Sequence, residues 1–311
     1  MKRITVMLLC ILLLIGCASR AVRGTEETML TITDVESEPE SGDEMGNALP
    51  TIAPEPMTEP LLFDYYAAVR DLAYPEWPTE GEMFRGDVSG SGIEETVSYR
   101  LLEDEWATEI TVGEDTIRLE EGSDLARVLL LDLDPVNARR NLLVVIDQAS
   151  ADYVTVEVHY EDDELVIGTV VYADMEWQDG ALRGYERADI LGTRSGVRRY
   201  AGEDLHPESD WLDTVYVPTA KEIAEELTDL IDTGLILQTA RDLPCEIDEK
   251  AAMLPAGTLL YPLRWTADES TVEICTTDGT TAVISVVVGD WEYRIDGVPQ
   301  AQYFTNLEYA D

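Results

Sequence analysis

Leu142-Leu143-Val144-Val145-Ile146, Val154-Thr155-Val156-Glu157-Val158-His159-Tyr160 and Leu165-Val166-Ile167-Gly168-Thr169-Val170-Val171-Tyr172 follow one another with only short polar gaps. Each run is five to eight residues long, rich in β-branched side chains, and bounded by turn formers such as Glu161-Asp162-Asp163, which is the signature of successive strands. Working outward, Val128 to Leu133 precedes them, and Thr96 to Leu102, Thr108 to Val112 and Thr116 to Leu119 come earlier, with Gly113-Glu114-Asp115 as a turn. Gln178-Asp179-Gly180 marks a further turn on the far side. This spacing predicts a β-meander. Few of these strands are expected to bury both faces, so the fold class is all-β, with sheets packed as a sandwich or arranged like the blades of a propeller.

Helical periodicity enters twice. Leu61, Leu62, Tyr65, Tyr66, Val69 and Leu72 fall at helical spacing before Pro75 and Pro78, and Thr219 to Asp232 places Ile223, Leu227, Leu230 and Ile231 on one side between Pro218 and Gly234. The second is taken as a connector. Beyond it, Leu235 to Thr239, Thr258 to Tyr261, Val272 to Cys275, Ala282 to Val288 and Trp291 to Arg294 form five short strands, as many as a small barrel needs. The expected domains are 60–217, a connector helix at 218–234, and a barrel at 235–311.

The N-terminus reads as an address. Lys2 and Arg3 precede an apolar run from Ile4 to Ile15, which ends at Gly16-Cys17. A span needs about 20 apolar residues, and this run is shorter, with Ser19, Arg20 and Arg23 following at once. A cleaved secretory signal fits better than a membrane-spanning anchor. Leu14-Ile15-Gly16-Cys17 resembles the lipobox of bacterial lipoproteins. That resemblance implies a signal at 1–16, a diacylglycerol on the Cys17 thiol, and a mature chain held on the extracytoplasmic face of the cell membrane. Residues 17–59 carry Glu36, Glu38, Glu40, Asp43 and Glu44 and the prolines 39, 50, 54 and 56. A segment so poor in large apolar side chains is expected to be a disordered, semi-extended tether.

The formal charge is −43, and removing Lys2 and Arg3 with the signal makes it −45. Nucleic-acid binding requires a basic stripe to neutralise phosphates, and none is present. Attachment to an anionic membrane surface must likewise come from the lipid and not from the protein.

Two aspartate-led segments resemble the calcium loops of FG-GAP or VCBS-like repeats. Asp87-Val88-Ser89-Gly90-Ser91-Gly92-Ile93-Glu94-Glu95 puts Asp87, Ser89 and Ser91 at alternate positions and a carboxylate, Glu94 or Glu95, at the end. Ca²⁺ takes six to eight oxygens and favours such spacing around a glycine turn. Leu131-Asp132-Leu133-Asp134-Pro135-Val136-Asn137 lies 45 residues after the first, counted from Asp87 to Asp132, and would be a degenerate copy with oxygens from Asp132, Asp134 and Asn137. The resemblance implies Ca²⁺ sites; residue chemistry alone allows these side chains to act as turn formers bonded to their own backbone.

Leu237-Gln238-Thr239-Ala240-Arg241-Asp242-Leu243-Pro244 and Leu254-Pro255-Ala256-Gly257-Thr258 are similar to a bacterial Src-homology-3-like domain, and Phe304 to Asp311 is similar to the tail of Firmicutes extracellular proteins that join such a barrel to VCBS-like segments. Cys245 and Cys275 would lie on strands of that barrel. In an oxidising compartment they could pair, closing a loop of about 30 residues worth roughly 3 to 4 kcal/mol, or remain as two buried thiols.

The sequence shows little in the way of nucleophile, base or metal sets, and among its 64 acids no glycosidase-like carboxylate pair stands out. His159 sits inside an expected strand and His206 beside Pro207, neither with a His or Cys partner at ligand spacing, and no nucleophile elbow occurs. The tryptophans 106, 177, 211, 265 and 291 could form a recognition groove or be dispersed through two cores. The leading reading is a non-enzymatic surface lipoprotein that binds cell-wall material, a glycan or a protein. A Ca²⁺-responsive structural module and a carboxylate-dependent extracellular hydrolase are the alternatives.

Overall fold

The computed structural model describes residues 59–72, 76–134, 139–148, 152–289 and 292–309, all within one compact unit, Ile52–Asp311. The leader, Cys17, most of the tether, Asn137 and Trp291 lie outside the described residues. The first elements are β1 (Leu61–Asp64), α1 (Tyr65–Val69), β2 (Glu80–Gly86), β3 (Glu95–Leu102), β4 (Ala107–Val112) and β5 (Asp115–Leu119). Then come β6 (Leu125–Leu131), β7 (Asn141–Asp147), β8 (Tyr153–Glu161), β9 (Glu164–Val171), β10 (Asp174–Gln178), β11 (Ala181–Ala188), β12 (Arg194–Ala201), β13 (His206–Pro207) and β14 (Trp211–Thr214). After α2 (Ala220–Asp232) follow β15 (Leu237–Gln238), β16 (Leu243–Ile247), β17 (Lys250–Leu254), β18 (Leu259–Thr266), β19 (Thr271–Thr276), β20 (Thr281–Ser285), β21 (Val287–Val288), β22 (Tyr293–Ile295) and β23 (Val298–Pro299).

The protein is all-β, with every strand pair antiparallel. A five-stranded sheet, β1-β6-β7-β8-β9, lies at the centre. Contrary to expectation, its inner strands bury both faces: residues 141–146 of β7 are all buried. Leu142, Val144 and Ile146 share a core with Val97, Ile110 and Leu119 of the four-stranded sheet β2-β3-β4-β5. Leu143 and Val145 point the other way, into a core with Met175 of β10, Leu182 of β11 and Tyr200 of β12. Alternation along an extended chain sends successive side chains to opposite faces, so an unbroken apolar run is what a middle layer requires.

The helix expected from Leu61 starts later. Leu61–Asp64 pairs with Leu130–Arg127 of β6 as an edge strand, and the Asp64 side chain then accepts from Ala67 N at 2.9 Å to cap α1. The helix at 220–232 matches its expectation and carries a full Thr219/Glu222 capping box. Two-residue hairpin turns with both φ positive occur at Asp162-Asp163, Asp179-Gly180, Asp248-Glu249 and Asp296-Gly297. These match the twist of the strands they join.

The C-terminal strands do not close into the expected small barrel. The sheet runs β10-β11-β12-β14-β18-β19-β20-β16-β17 and stays open, because β18 pairs with β14 through Trp211↔Thr266, Leu212↔Trp265 and Asp213↔Arg264. Strands from before and after α2 therefore share one sheet. A third core of Leu212, Leu243, Leu260, Trp265, Ile274 and Ile284 fills the C-terminal part. The Trp265 ring lies against Gly196 of β12, where a Cβ would come within 2.5 Å of it. Among the described residues no helix is long and apolar enough to cross a membrane.

One end of the central sheet holds a buried polar cluster. The Glu157 carboxylate, 1 % exposed, accepts from Asn141 Nδ2 at 2.6 Å and lies 2.8 Å from His159 Nδ1, with the Arg139 guanidinium at 3.8 Å. A bulge between Val156 and Val158 aims Glu157 across Gly168 of β9, and any Cβ at 168 would overlap the carboxylate. Gly168→Ala should push a buried charge off its partners and cost about 2 kcal/mol, read as a lower urea midpoint; an unchanged midpoint would contradict this packing.

Candidate functional site

The structure separates the sequence-selected residues. Asp87 follows β2 and Asp132 follows β6, and each loop joins the first two strands of a four-stranded antiparallel run, β2 to β5 and β6 to β9. In the first loop, Asp87 Oδ2 accepts from Gly92 N at 3.0 Å, Glu95 Oε2 accepts from Val88 N at 2.8 Å, the Ser89 hydroxyl donates to Glu95 Oε1, and Ser91 Oγ accepts from Ile93 N at 3.3 Å. Glu95 turns inward and Glu94 is exposed. Only Asp87 Oδ1 is buried without a hydrogen bond, so a Ca²⁺ ion would have to take its remaining oxygens from bonds that already hold the turn. In the second loop, Asp132 Oδ2 lies 2.7 Å from Arg140 Nη1, both side chains almost fully buried. A guanidinium in that position repels a cation. The described residues form a turn in the first loop and a buried ion pair in the second, with Asp87 Oδ1 and Asp132 Oδ1 left without a hydrogen bond. No group of three or more His, Cys, Asp or Glu is placed to hold a metal among the described residues.

Cys245 on β16 and Cys275 on β19 are free thiols. The expected disulfide is not formed because β20 runs between their strands, and two strand spacings, about 9.6 Å, exceed disulfide reach. His159 belongs to the buried cluster, and His206 is exposed beside Asp204 at 3.5 Å. The described tryptophans do not converge. Trp265 is core, Trp106 is 52 % exposed, Trp211 lies under the Arg264 guanidinium at 4.6 Å, and only Trp177 lines the principal cleft.

That cleft, about 610 Å³, opens between β1, β6 and the β10–β11 hairpin. Leu62, Leu129 and Trp177 supply an apolar lining, and Asp64, Arg127, Glu176 and Asp179 the polar one. Arg127 projects from the otherwise apolar β6 and is held by two carboxylates of β10, Glu176 Oε1 at 2.5 Å and Asp174 Oδ2 at 3.3 Å. Asp174 Oδ1 is buried with no hydrogen bond. Burial pushes the Asp174 carboxyl up to about 6, against the pull of Arg127 and with the negative field of Glu176, Asp147 and Asp64 adding to it. Behind it, Asp147 accepts from the Tyr66 hydroxyl at 3.1 Å, and burial raises the Tyr66 phenol. A perturbed carboxyl beside a cleft makes this the candidate site among the described residues.

Sequence reasoning singled out Trp177 and missed Arg127, Asp174, Glu176 and Asp64. One signal was available: a lone Arg in Leu125-Ala126-Arg127-Val128-Leu129-Leu130-Leu131 cannot be buried without acidic partners.

No protein-family model matches the chain, and neither does a curated protein or a solved structure.

A carboxyl with a raised folded pKa binds its proton more tightly in the native than in the unfolded state, so it lowers stability as pH rises from about 4 through about 6. Asp174→Asn removes that slope. Its stability relative to the parent should therefore rise between pH 5 and pH 7, measured by urea titration at each pH; a difference independent of pH would contradict the assignment.

Proposed function

We propose that this chain is a lipid-anchored, non-enzymatic recognition module displayed on the extracytoplasmic face of the cell membrane. The anchor is the diacylglycerol on Cys17 implied by the lipobox resemblance, and the acidic segment up to residue 59 is the tether that holds the folded unit outward. FG-GAP/VCBS-like repeats, as the sequence resemblance has it, suit such a binding head. The two successive four-stranded runs with equivalently placed loops are in keeping with the repeat resemblance.

The observation that carries the reading is the cleft on β1, β6 and β10. It combines an accessible aromatic ring with fixed charges on rigid strands, the composition expected of a ligand site. Dispersal of the other tryptophans argues against a long aromatic strip for a polymer and in favour of one residue-sized feature of a protein or cell-wall component.

Two measurements test this. Growth with a fatty-acid analogue should label the parent chain and leave Cys17→Ala unlabelled and released from the membrane fraction; an unlabelled parent in the soluble fraction would overturn the anchor. Retention on purified cell-envelope material should fall about five-fold for Trp177→Ala and stay unchanged for Trp211→Ala; equal retention of all three chains would overturn the cleft as the contact.

A further inference from the structure

The cleft carries a more specific chemistry, which rests on the recognition reading above. Three carboxylates of the lining, Glu59, Asp64 and Glu176, stand with Asp174 immediately behind, and a fourth, Asp179, is paired with Arg183 at 2.9 Å. Arg127 is the one cation in the lining, and it is already engaged by Glu176 and Asp174. An anionic group entering there would meet uncompensated negative charge. A neutral one would leave that charge standing.

The apolar part has a matching shape. Leu62 is 59 % exposed and lies with the half-buried Trp177 along the cleft above the buried Leu129, so an unbranched hydrocarbon stem can lie on Leu62 while its charged head reaches the carboxylates. A half-buried indole face is the best of the side-chain rings for a cation. The strand beside the cleft is also open: β1 pairs with β6 on one side and is the edge of its sheet on the other, with Leu61 and Leu62 exposed. An extended peptide can align with such an edge and place alternate side chains in the adjoining pocket.

We propose that the cleft binds an extended peptide segment through a lysine-like ammonium side chain, its stem on Leu62 and its ammonium between Trp177 and the carboxylates of Asp64 and Glu176. The charged groups facing Asp174 are acidic but for one. Asp64 from β1, Asp147 from β7 and Glu176 from β10 are acidic, Arg127 from β6 is the opposing cation, and the phenols Tyr153 and Tyr185 come from β8 and β11. An added ammonium relieves that crowding, so binding weakens as Asp174 gains its proton near pH 6.

The experiment uses the full chain in nonionic polyoxyethylene detergent, titrated with acetyl-Ala-Lys-Ala-amide, its norleucine counterpart and a neutral oligosaccharide, and followed by tryptophan fluorescence and calorimetry. Saturable binding of the lysine peptide is expected, at least ten-fold weaker for norleucine and about five-fold weaker in Trp177→Ala. Asp64→Asn should weaken it while keeping the α1 cap, since Asn caps as well as Asp. Glu225→Gln on α2 changes net charge equally and should leave binding unaltered. Equal losses from Asp64→Asn and Glu225→Gln would reduce the effect to bulk charge and overturn the proposal, as would equal affinity for norleucine. Trp177-dependent binding of the oligosaccharide without the peptide would overturn the ammonium and keep the recognition module. No binding of any probe, together with envelope retention indifferent to Trp177→Ala, would overturn both.

Discussion

Burial of both faces of β6, β7 and β8 is the constraint from which the remaining architecture follows. A sheet apolar on one side needs a single covering layer, whereas this one needs two, and the chain supplies β2 to β5 on one face and β10 to β12 on the other. Each fully buried Val, Leu or Ile contributes roughly 1.5–3 kcal/mol relative to exposure, and the middle strands concentrate such side chains. Polar groups enter this layer in partnered sets. Asn141, Glu157 and His159 form one at one end, with Asn141 Oδ1 left without a hydrogen bond, and Arg127 and Arg140 pair with carboxylates.

Much of this was legible. The runs Leu142 to Ile146, Val154 to Tyr160 and Leu165 to Tyr172 fall within one or two residues of β7, β8 and β9, because period and turn chemistry are local properties. What escaped was non-local. Leu61 and Leu62 satisfy helical spacing as well as strand spacing, and the β6 edge decides between them. The β16–β17 hairpin is short and turns on Asp248-Glu249, which carries no glycine to announce it. The continuation of one sheet from β14 into β18 depends on Leu212 meeting Trp265, 53 residues apart by their numbers, and no window of sequence contains both. The cleft was hidden for the same reason, since Asp64, Arg127 and Glu176 come from three separate strands.

The excess of acid has a structural distribution as well as a total. Part of it sits in hairpin turns such as Asp162-Asp163 and Asp248-Glu249, where solvent and short side chains make charge inexpensive. Part is paired with the scarce arginines: Arg118 with Glu105 and Glu120, Arg198 with Glu186, Arg264 with Glu273. The depression around Trp211 gathers several arginines, yet Arg183, Arg198 and Arg264 each have a carboxylate at 2.6–2.9 Å. Local neutrality is the rule there, and the principal cleft departs from it.

β1 also has a mechanical side. It is the first described strand, it is held to β6 by four ladder pairs, and the chain reaches it through Glu59 and Pro60, which line the cleft. Among the described elements it is the one nearest the preceding chain, and tension passed along Glu59 and Pro60 would act on it first. Phe63 of the same strand packs on the first core against Tyr99, so a pull on β1 would act on one wall of the cleft and on that core together, coupling the grip of the site to the layered interior.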